Sequence, residues 1–296
     1  CKDPTVDVIY VGTIHPSHCQ SVIAALNNGK HVICEKPIGM NTRETEQMIE
    51  AARKNGKFLL EAMWTRFFPA YRKARELINN GAIGQVVHYY GDFALNMPGP
   101  REAPRLWLNK LGGGGLLDVG CYPLNPVTWL FGQMMPKQIS AIGAVYNEDA
   151  NIDTVCAVSM VYNDKQSAQF HTNMYANTFG ERLISGTKGR IRMDGPPMAP
   201  HAVTLYLFGD TPETSREVVC TKRFEFKDRN VYETVFPGSE GMIYEIEEVV
   251  KCLDEGRTES PEYTWNETVT VMKIMDEIRK QLQVKYPQDS VPKSKL

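Results

Sequence analysis

Blocks of apolar residues separated by polar stretches predict strands and helices in regular succession over the first 69 residues of the chain. Short apolar runs at 6–12, 30–34 and 58–63 predict three strands, and the first has the composition of a strand buried on both faces. The stretches at 17–27 and 41–55 predict helices between them. Strands that alternate with helices through short loops predict an α/β fold with part of a doubly wound, Rossmann-type parallel sheet.

A different pattern follows the third strand. A helix is predicted at 70–80 and an alternating, half-exposed strand at 86–95, before a glycine-rich segment and a further helix. From 137 to 226 the apolar runs are separated by turn residues, which predicts a mainly antiparallel open sheet, and helices are predicted at 240–255 and 266–283. We therefore expect an α/β domain at 1–69, an α+β domain at 70–286 and a flexible tail at 287–296.

Composition narrows the class of protein. The 296 residues are enough for two domains with buried cores, and a hydrophobic share of 42% is ordinary for a globular protein. A net charge of -2 argues against nucleic acid or an anionic membrane as a partner, and no apolar run approaches the roughly 20 residues of a membrane span. Seven scattered cysteines without a CxxC pair argue against a disulfide framework and a zinc site, and fit a reducing compartment.

The two ends of the sequence carry expectations of their own. Residue 1 is Cys1 and the first strand pattern begins almost at once, so we expect a portion of the protein upstream of this residue. The last three residues, Ser294-Lys295-Leu296, match a peroxisomal address. The protein is therefore expected in the cytoplasm, or in peroxisomes if these residues are the true C-terminus.

Glu35-Lys36-Pro37 follows the second predicted strand directly. In a parallel sheet, ligands bind at the carboxyl ends of the strands. Pro37 fixes its own backbone and biases Lys36 toward an extended conformation, so this lysine can face a pocket. The alternative is an ordinary surface Glu-Lys pair before a helix.

A run of four glycines, 112–115, precedes Asp118 and Tyr122. Glycines allow a close backbone approach or a positive φ, but the run is not GxGxxG and is not predicted to bind phosphate. Asp118 and Tyr122 are four residues apart and share one face if a helix runs through both. The alternative is a core tyrosine whose hydroxyl bonds to Asp118.

Lys36 and Tyr122 together suggest acid–base chemistry. Lowering a tyrosine pKa from near 10 by about three units requires roughly 4 kcal/mol. An ammonium about 4 Å away supplies roughly that amount at an effective dielectric near 20. The pair is therefore able to act as a general acid/base on an alcohol proton. Asp118 would oppose this effect if it neutralised Lys36, so its expected role is to orient Lys36 or to bind a substrate hydroxyl.

Several weaker candidates accompany these residues. His15 and His18 follow the first strand, where a histidine is more often structural or at the edge of a cofactor than catalytic. Aromatic residues at 64, 67 and 68 flank Arg66 at a strand end and form either a pocket wall or core packing. Arg101 and Arg105 are interpreted as anion-binding or solvated residues.

The two segments in this order resemble the glucose–fructose oxidoreductase/inositol dehydrogenase (Gfo/Idh/MocA) superfamily, which has EKP after a strand and a GGG-x-L-x-D-x-G-x-(His/Tyr) helix. Tyrosine at the last position, Tyr122, is similar to the branch of glucose–fructose oxidoreductase, D-xylose dehydrogenase and dihydrodiol dehydrogenase. Further matches favour the dihydrodiol dehydrogenases, and the similarity spans about 3–289. These matches are Gly12-Thr13, His15-Pro16, His18, Glu61-Ala62, Trp64-Thr65-Arg66-Phe67-Phe68-Pro69, Ser185-Gly186-Thr187-Lys188-Gly189, Gly241-Met242, Tyr244-Glu245, Glu259-Ser260-Pro261 and Tyr286-Pro287-Gln288-Asp289.

This resemblance implies roles for individual residues. It implies that Tyr122 is the acid/base, that Lys36 supports it beside the nicotinamide and that Asp118 lies in the site. It implies a substrate pocket lined by Trp64, with Phe67 beside it. Residues implied to lie along the nicotinamide half of the cofactor are Gly12, Thr13, His15, His18, Glu35, Lys36 and Arg66.

The implied reaction is oxidation of a trans-dihydrodiol to a catechol, or of an aldopentose such as D-xylose to its lactone. The implied cofactor is NADP, with NAD as the alternative, and no metal is required. Residues 1–69 would then be the C-terminal portion of the dinucleotide-binding domain, and the second-domain sheet would form a homodimer. The alternatives are another sugar dehydrogenase or oxidoreductase and a non-catalytic NADP-binding protein, against which Lys36 and Tyr122 both count.

The sequence departs from the family in one respect. The family's first strand and its glycine-rich dinucleotide fingerprint do not occur in this chain. The pyrophosphate cradle and the residues that choose NADP over NAD belong to that segment. We therefore expect the 296-residue chain by itself to bind the cofactor poorly and to be inactive.

Overall fold

The computed structural model describes residues 1–146, 150–209, 217–224 and 238–290, and within them the strands form two sheets. The strands are β1 (Val8–Val11), β2 (His31–Glu35), β3 (Leu59–Ala62), β4 (Val86–Ala94), β5 (Gln138–Tyr146), β6 (Ile152–Asn163), β7 (Gln166–Asn173), β8 (Arg182–Gly186), β9 (Gly189–Asp194), β10 (Ala202–Leu207) and β11 (Glu217–Arg223). The helices are α1 (His18–Asn27), α2 (Thr42–Asn55), α3 (Pro69–Asn79), α4 (Pro104–Trp107), α5 (Cys121–Leu124), α6 (Val127–Leu130), α7 (Ile243–Asp254) and α8 (Trp265–Gln281).

The first sheet is parallel, in the order β1-β2-β3. Helix α2 begins where the Asn41 side chain accepts a hydrogen bond from the Glu44 amide, and it ends at Gly56, whose φ is +59°. An Asn cap and a left-handed glycine are the ordinary start and stop signals of a helix. The predicted parallel α/β arrangement is confirmed.

Strand β1 lies at the edge of this sheet among the described residues and is hydrogen-bonded only to β2. The prediction that it is buried on both faces is wrong. Val6 is 37% exposed and Tyr10 is 45% exposed. The apolar run reflects the high β propensity of these residues. Within the described residues, however, β1 has a neighbouring strand along only one of its two edges.

The second sheet has eight described strands, in the order β11-β10-β9-β8-β4-β7-β6-β5. Only β4 and β7 pair in parallel among them, and the other neighbours are antiparallel. The predicted, mainly antiparallel second sheet is therefore confirmed. The exact division at residues 69 and 70 stays a prediction.

The C-terminal segment differs from the expected flexible tail. Pro287–Ser290 forms a 3-10 turn, and the Asp289 carboxylate accepts hydrogen bonds from Arg279 and from the Asn41 side chain. Arg43 also donates to the Gln288 carbonyl. These contacts dock the start of the expected tail against α2 and α8, because a charged pair offsets the ordering of the chain. Residues 291–296, which include the peroxisomal match, lie outside the described residues.

Three further observations concern the whole described chain. No helix among the described residues is both long and apolar enough to cross a membrane. All seven cysteines are free thiols. No group of three or more potential metal ligands occurs in the part of the chain that the structure describes.

Candidate active site

A cleft of about 750 Å³ opens where the carboxyl edge of the parallel sheet faces the second sheet. Nine of the residues singled out from the sequence line it: Gly12, Thr13, His15, Glu35, Lys36, Trp64, Arg105, Asp118 and Tyr122. The cleft therefore brings the EKP segment and the Asp118–Tyr122 segment together, although they are more than 80 residues apart in sequence.

The Lys36 segment is fixed from two sides. The Nδ1 atom of His18 lies 3.0 Å from the Pro37 carbonyl oxygen. The Ile38 amide donates to a carboxylate oxygen of Glu61 over 3.1 Å. These buried contacts hold the lysine at the end of β2, so Lys36 faces the cleft as the sequence predicts.

The backbone of the glycine run packs closely against residues of both domains. Gly112 has φ +76°, and a Cβ atom there would lie 2.9 Å from the Cβ of His15. The Nδ1 atom of His15 lies 3.0 Å from the Gly112 carbonyl oxygen. Gly114 has φ +123°, and a Cβ there would lie 2.7 Å from Oδ1 of Asp153. The run therefore serves close packing, which larger residues would prevent.

Two residues that the sequence analysis did not single out as site residues hold this run in place. Asp153, on β6, accepts a hydrogen bond from the Leu116 amide over 2.6 Å. The Tyr286 hydroxyl donates to the Gly113 carbonyl oxygen over 2.5 Å. Tyr286 belongs to one of the family matches, but no local pattern connects either residue with the glycines, because both contacts are long-range.

Asp118 and Tyr122 reach the cleft from an irregular helical segment. Leu116–Gly120 has π-helical bonding and Cys121–Leu124 continues it as the single turn α5. The Tyr122 hydroxyl accepts a hydrogen bond from Trp64 Nε1 over 2.8 Å. In the alternative of a core tyrosine bonded to Asp118, the bond is wrong, because the Tyr122 oxygen meets the indole. Tyr122 is 5% exposed and packs in the core where the core borders the cleft.

Lys36 lies between Asp118 and Tyr122. Its Nζ atom donates to the Asp118 backbone carbonyl oxygen over 2.5 Å and lies 3.8 Å from the carboxylate oxygen Oδ1. The same Nζ atom lies 5.0 Å from the centroid of the Tyr122 ring. Arg105 Nη1 donates to that Oδ1 over 3.1 Å. This part of the cleft thus brings the Tyr122 phenol and the Asp118 carboxylate together with two cations.

Burial raises the pKa of Tyr122 above its ordinary value, although the Lys36 ammonium lowers it and the Trp64 hydrogen bond acts in the same direction as the ammonium. The expectation that Lys36 alone brings this pKa near 7 is therefore wrong for the protein without its ligands, since the desolvation of the phenolate is the larger effect. Burial opposes the charge on Lys36, but Tyr122 and Asp118 raise the pKa of this lysine above its usual range.

His15 and Asp118 are both deprotonated at physiological pH, the imidazole neutral and the carboxylate negative. Burial lowers the pKa of His15 to about 4, although Asp118 acts to raise it, so the imidazole is neutral at physiological pH. Burial opposes ionisation of Asp118, but Lys36 and Arg105 hold the pKa of its carboxyl below the usual value. Asp118 is therefore a carboxylate.

Three predicted site residues do not line the cleft. His18 is fully buried beneath it, between the Pro37 and Thr13 carbonyls. Arg66 is also fully buried and forms an ion pair of 2.6 Å with Glu267, so its charge is already compensated inside the protein. Phe67 is part of the core. Their positions support the structural alternatives over contact with cofactor or substrate.

Apolar residues also line the cleft. Those not singled out as pocket residues from the sequence are Ile14, Phe93, Leu95, Leu111, Val119, Met198 and Met242. They come from β4, from the glycine-rich region and from loops far apart in sequence, which hides their grouping from pattern analysis. Tyr10 also lines the cleft, and its hydroxyl donates to the Glu35 carboxylate.

Comparison with known proteins matches two consecutive parts of the chain to one family. The description "Oxidoreductase family, NAD-binding Rossmann fold" matches 1–63, and "GFO/IDH/MocA C-terminal domain" matches 71–192. The trans-1,2-dihydrobenzene-1,2-diol dehydrogenase of Xenopus tropicalis is 36% identical over 286 residues, which are 97% of this chain and 81% of that protein. The chain belongs to the Gfo/Idh/MocA oxidoreductase family.

Solved structures of similar fold carry nicotinamide cofactors. Levoglucosan dehydrogenase in complex with NADH and levoglucosan matches with a TM-score of 0.79 at 20% identity, over 95% of this chain and 79% of that one. The 3-ketoreductase KijD10 of Actinomadura kijaniata, in complex with NADP, matches with a TM-score of 0.73 at 21% identity, over the same shares.

This Gfo/Idh/MocA protein is an oxidoreductase that uses a nicotinamide dinucleotide and acts on a small molecule. The cleft fits the nicotinamide part of such a cofactor. A Cβ atom at Gly12 would approach only the Tyr10 ring, at 3.4 Å, so the backbone of this loop is open toward the cleft. The loop lies at the carboxyl edge of the parallel sheet, where such cofactors bind.

Proposed function

We propose that the full-length protein oxidises a trans-dihydrodiol of an aromatic ring with NADP, using Tyr122 as the general acid/base and Lys36 as its supporting cation. The observation that carries this proposal is the Lys36 ammonium, 5.0 Å from the centre of the Tyr122 ring in one cleft. A fixed cation beside a phenol stabilises the phenolate, which is the form that accepts the alcohol proton.

The proposed mechanism assigns one action to each residue. When bound, the oxidised nicotinamide would supply the hydride acceptor and a positive charge in the cleft. The Tyr122 oxygen takes the proton of the substrate hydroxyl. Trp64 Nε1 keeps its hydrogen bond to that oxygen, and the bond is stronger to the phenolate than to the phenol. Lys36 stays protonated throughout, since its pKa lies above the usual range.

Residues at the cofactor side would orient the nicotinamide. The backbone at Gly12 and Thr13 and the neutral imidazole of His15 border the cleft beside β1, and Glu35 borders it beside β2. The Asp118 carboxylate is proposed to accept a hydrogen bond from a second substrate hydroxyl, which a diol supplies. NADP is proposed as the cofactor and NAD as the alternative; the ratio of kcat/KM with the two cofactors decides between them.

The substrate class rests on the two unlike walls of the cleft. Trp64, Phe93 and Met198 offer apolar surface to a hydrocarbon ring, while the Asp118 carboxylate offers charge to a hydroxyl group. The apolar wall favours the dihydrodiol, and the charged wall keeps an aldopentose such as D-xylose as the second candidate. We expect a higher kcat/KM for naphthalene dihydrodiol than for D-xylose, and the reverse order would favour a sugar dehydrogenase.

The central test is the Tyr122→Phe variant of the full-length protein. It is expected to lower kcat at least about a hundredfold, the scale of a lost general acid/base. The matched control is Tyr162→Phe, because Tyr162 is 3% exposed and its hydroxyl has no hydrogen-bond partner within the described residues. A loss under threefold in Tyr122→Phe would remove Tyr122 from the mechanism. Stable NADP binding without hydride transfer to it would favour a non-catalytic protein.

We also propose that the second sheet forms a homodimer. Ile142 is 71% exposed, Val161 is 40% exposed and Val145 is 39% exposed, which leaves apolar side chains on β5 and β6 without cover in the single chain. Light scattering is expected to give twice the mass of one chain. The charged substitution Ile142→Lys is expected to shift the mass toward the monomer.

Peroxisomal import remains a proposal based on Ser294-Lys295-Leu296, with a cytoplasmic location as the alternative. A fluorescent protein fused ahead of the full-length chain is expected to concentrate in peroxisomes. The matched control deletes Leu296 and is expected to stay diffuse.

A further inference from the structure

The Asp118 carboxylate lies between two cations but makes a hydrogen bond with only one of them. Arg105 Nη1 donates to Oδ1 over 3.1 Å, whereas Lys36 Nζ lies 3.8 Å from the same oxygen. Lys36 donates instead to the Asp118 backbone carbonyl oxygen. The lysine is thus held next to the aspartate without a close contact to its negative charge.

We propose that Arg105 is a positioning residue that holds the Asp118 carboxylate and so leaves the positive field of Lys36 directed at the Tyr122 phenol. This inference rests on the proposed role of Tyr122 as the acid/base. The Asp118 carboxylate then has two arrangements. With Arg105 present it accepts a hydrogen bond from the guanidinium, and without Arg105 it pairs with Lys36.

The neutral neighbours of this group do not take the place of Arg105. Burial lowers the pKa of His15 to about 4, so this imidazole brings no charge to Asp118 at physiological pH. Burial raises the pKa of the Cys121 thiol to about 12, so it stays protonated. Among the described residues that act on Asp118, only Lys36 and Arg105 are therefore cations.

The other carboxylates near Lys36 are already engaged. Glu35 accepts hydrogen bonds from the Tyr10 hydroxyl and from the Lys36 backbone amide. Glu61 accepts from the Ile38 amide, behind the lysine. Asp118 is therefore the carboxylate that can pair with the Lys36 ammonium once Arg105 is substituted.

Arg105 is well suited to a substitution experiment. It lies on the short helix α4, and its side chain is 53% exposed. Its one described ion pair is the pair with Asp118. A change at an exposed side chain of this kind alters folding stability little, so activity reports on the site.

The sign of the effect follows from the charges. Without Arg105 the Asp118 carboxylate pairs with Lys36, the phenolate of Tyr122 loses support and its pKa rises. Alcohol oxidation needs the basic form, so kcat/KM rises with pH up to this pKa. Arg105→Gln is therefore expected to move the midpoint upward by about one pH unit, the scale of one altered charge partner. Below the midpoint, kcat/KM falls about tenfold at constant slope.

The experiment measures log kcat/KM against pH at saturating NADP, where the cofactor's positive charge is present beside Tyr122, for the full-length protein and three variants. Arg105→Lys keeps the charge and is expected to keep the wild-type midpoint to within about 0.3 unit. Arg105→Gln combined with Asp118→Asn removes both charges and is expected to return the midpoint to the wild-type value. Melting temperatures within about 2 °C of the wild type establish that each variant folds.

Each outcome bears on a distinct claim. An unshifted profile in Arg105→Gln overturns the inference, and so does a shift that persists when Asp118→Asn is added. A lower kcat with an unchanged midpoint assigns Arg105 to substrate contact and also overturns it. Failure of the proposed function has another signature: Tyr122→Phe then keeps both its activity and its pH dependence, whatever Arg105 does.

Discussion

The indole nitrogen of Trp64 donates a hydrogen bond to the phenol oxygen of Tyr122 over 2.8 Å. The two rings are perpendicular, at an interplanar angle of 88°. Trp64 follows β3 of the parallel sheet, whereas Tyr122 belongs to the segment packed on the second sheet. A residue interpreted from the sequence as pocket wall therefore also contacts the atom proposed to move the proton.

Trp64→Phe tests this hydrogen bond, because phenylalanine keeps an aromatic ring but has no donor. We expect kcat to fall about tenfold, the worth of one hydrogen bond to a charged group, and the pH midpoint of kcat/KM to rise. The matched control is Trp129→Phe, whose indole nitrogen has no partner in the part of the chain that the structure describes. Equal losses in both variants would assign the effect to packing.

The buried pair of Arg66 and Glu267 predicts a stability effect without a catalytic one. Arg66→Met leaves the Glu267 carboxylate, with a side chain 5% exposed, without its 2.6 Å partner. We expect the free energy of unfolding in urea to fall by about 3–5 kcal/mol, as for other broken buried pairs. Lys73→Met, which breaks a more exposed pair with Glu76, is the control and is expected to cost about 1 kcal/mol or less.

The same variant also tests where Arg66 acts. The Kd of the folded Arg66→Met protein for NADP is expected to stay within about twofold of the wild type, which corresponds to less than about 0.5 kcal/mol. A tenfold weaker Kd in protein that remains folded would return Arg66 to the cofactor site.

Gly114→Ala tests the close packing of the glycine run beneath the active site. The new Cβ would lie 2.7 Å from Asp153 Oδ1 and 2.9 Å from the Tyr286 hydroxyl, at a backbone φ of +123°. We expect a loss of at least about 2 kcal/mol in urea unfolding, combining overpacking and backbone strain. Gly99→Ala is the control, because a Cβ there has no described atom within 4 Å. Similar stabilities of the two variants would contradict the packing argument.

Asp153 predicts a pH-dependent stability. Burial raises its pKa to about 6 from an ordinary value near 4, so the folded state binds the extra proton between these values. Stability from this group is present below pH 4 and is lost as pH rises through 6. The wild type therefore loses free energy of unfolding between pH 4 and 7, and Asp153→Asn does not. The difference in this free energy, variant minus wild type, is expected to rise by roughly 3 kcal/mol over that range.

The check is urea unfolding of both proteins across that pH range. Asp164→Asn, at a side chain 98% exposed, is the matched control and is expected to show a constant difference. A pH-independent difference between wild type and Asp153→Asn would contradict the assigned titration.

Much of the fold could be predicted because the decisive signals are local. The Asn41 cap, the Gly56 stop and the three apolar runs each occur within a few residues, and each predicted element exists. Lys36 and Tyr122 could be predicted as partners because each is part of a short motif in a recognisable place.

The remainder depends on contacts that no local pattern records. The exposure of Tyr10 follows from the position of β1 at the sheet edge, and the burial of Arg66 follows from Glu267 about 200 residues later. Oδ1 of Asp118 lies 3.1 Å from Arg105 Nη1 and 3.8 Å from Lys36 Nζ, and no sequence pattern records this difference of 0.7 Å. Burial also reversed the expected direction for the pKa of Tyr122, because desolvation depends on the whole surrounding structure.

The docking of Tyr286 and Asp289 has a practical consequence for work on this protein. Tyr286 is bonded to the glycine run that precedes Asp118, and Asp289 is bonded to Asn41, the residue ahead of α2. Proteolytic trimming, or a fusion joint, that removes residues 286–289 would therefore alter catalysis from a place far from the reacting atoms in sequence. The expressed protein should therefore include residues beyond Ser290, so that rates are measured with these C-terminal contacts intact.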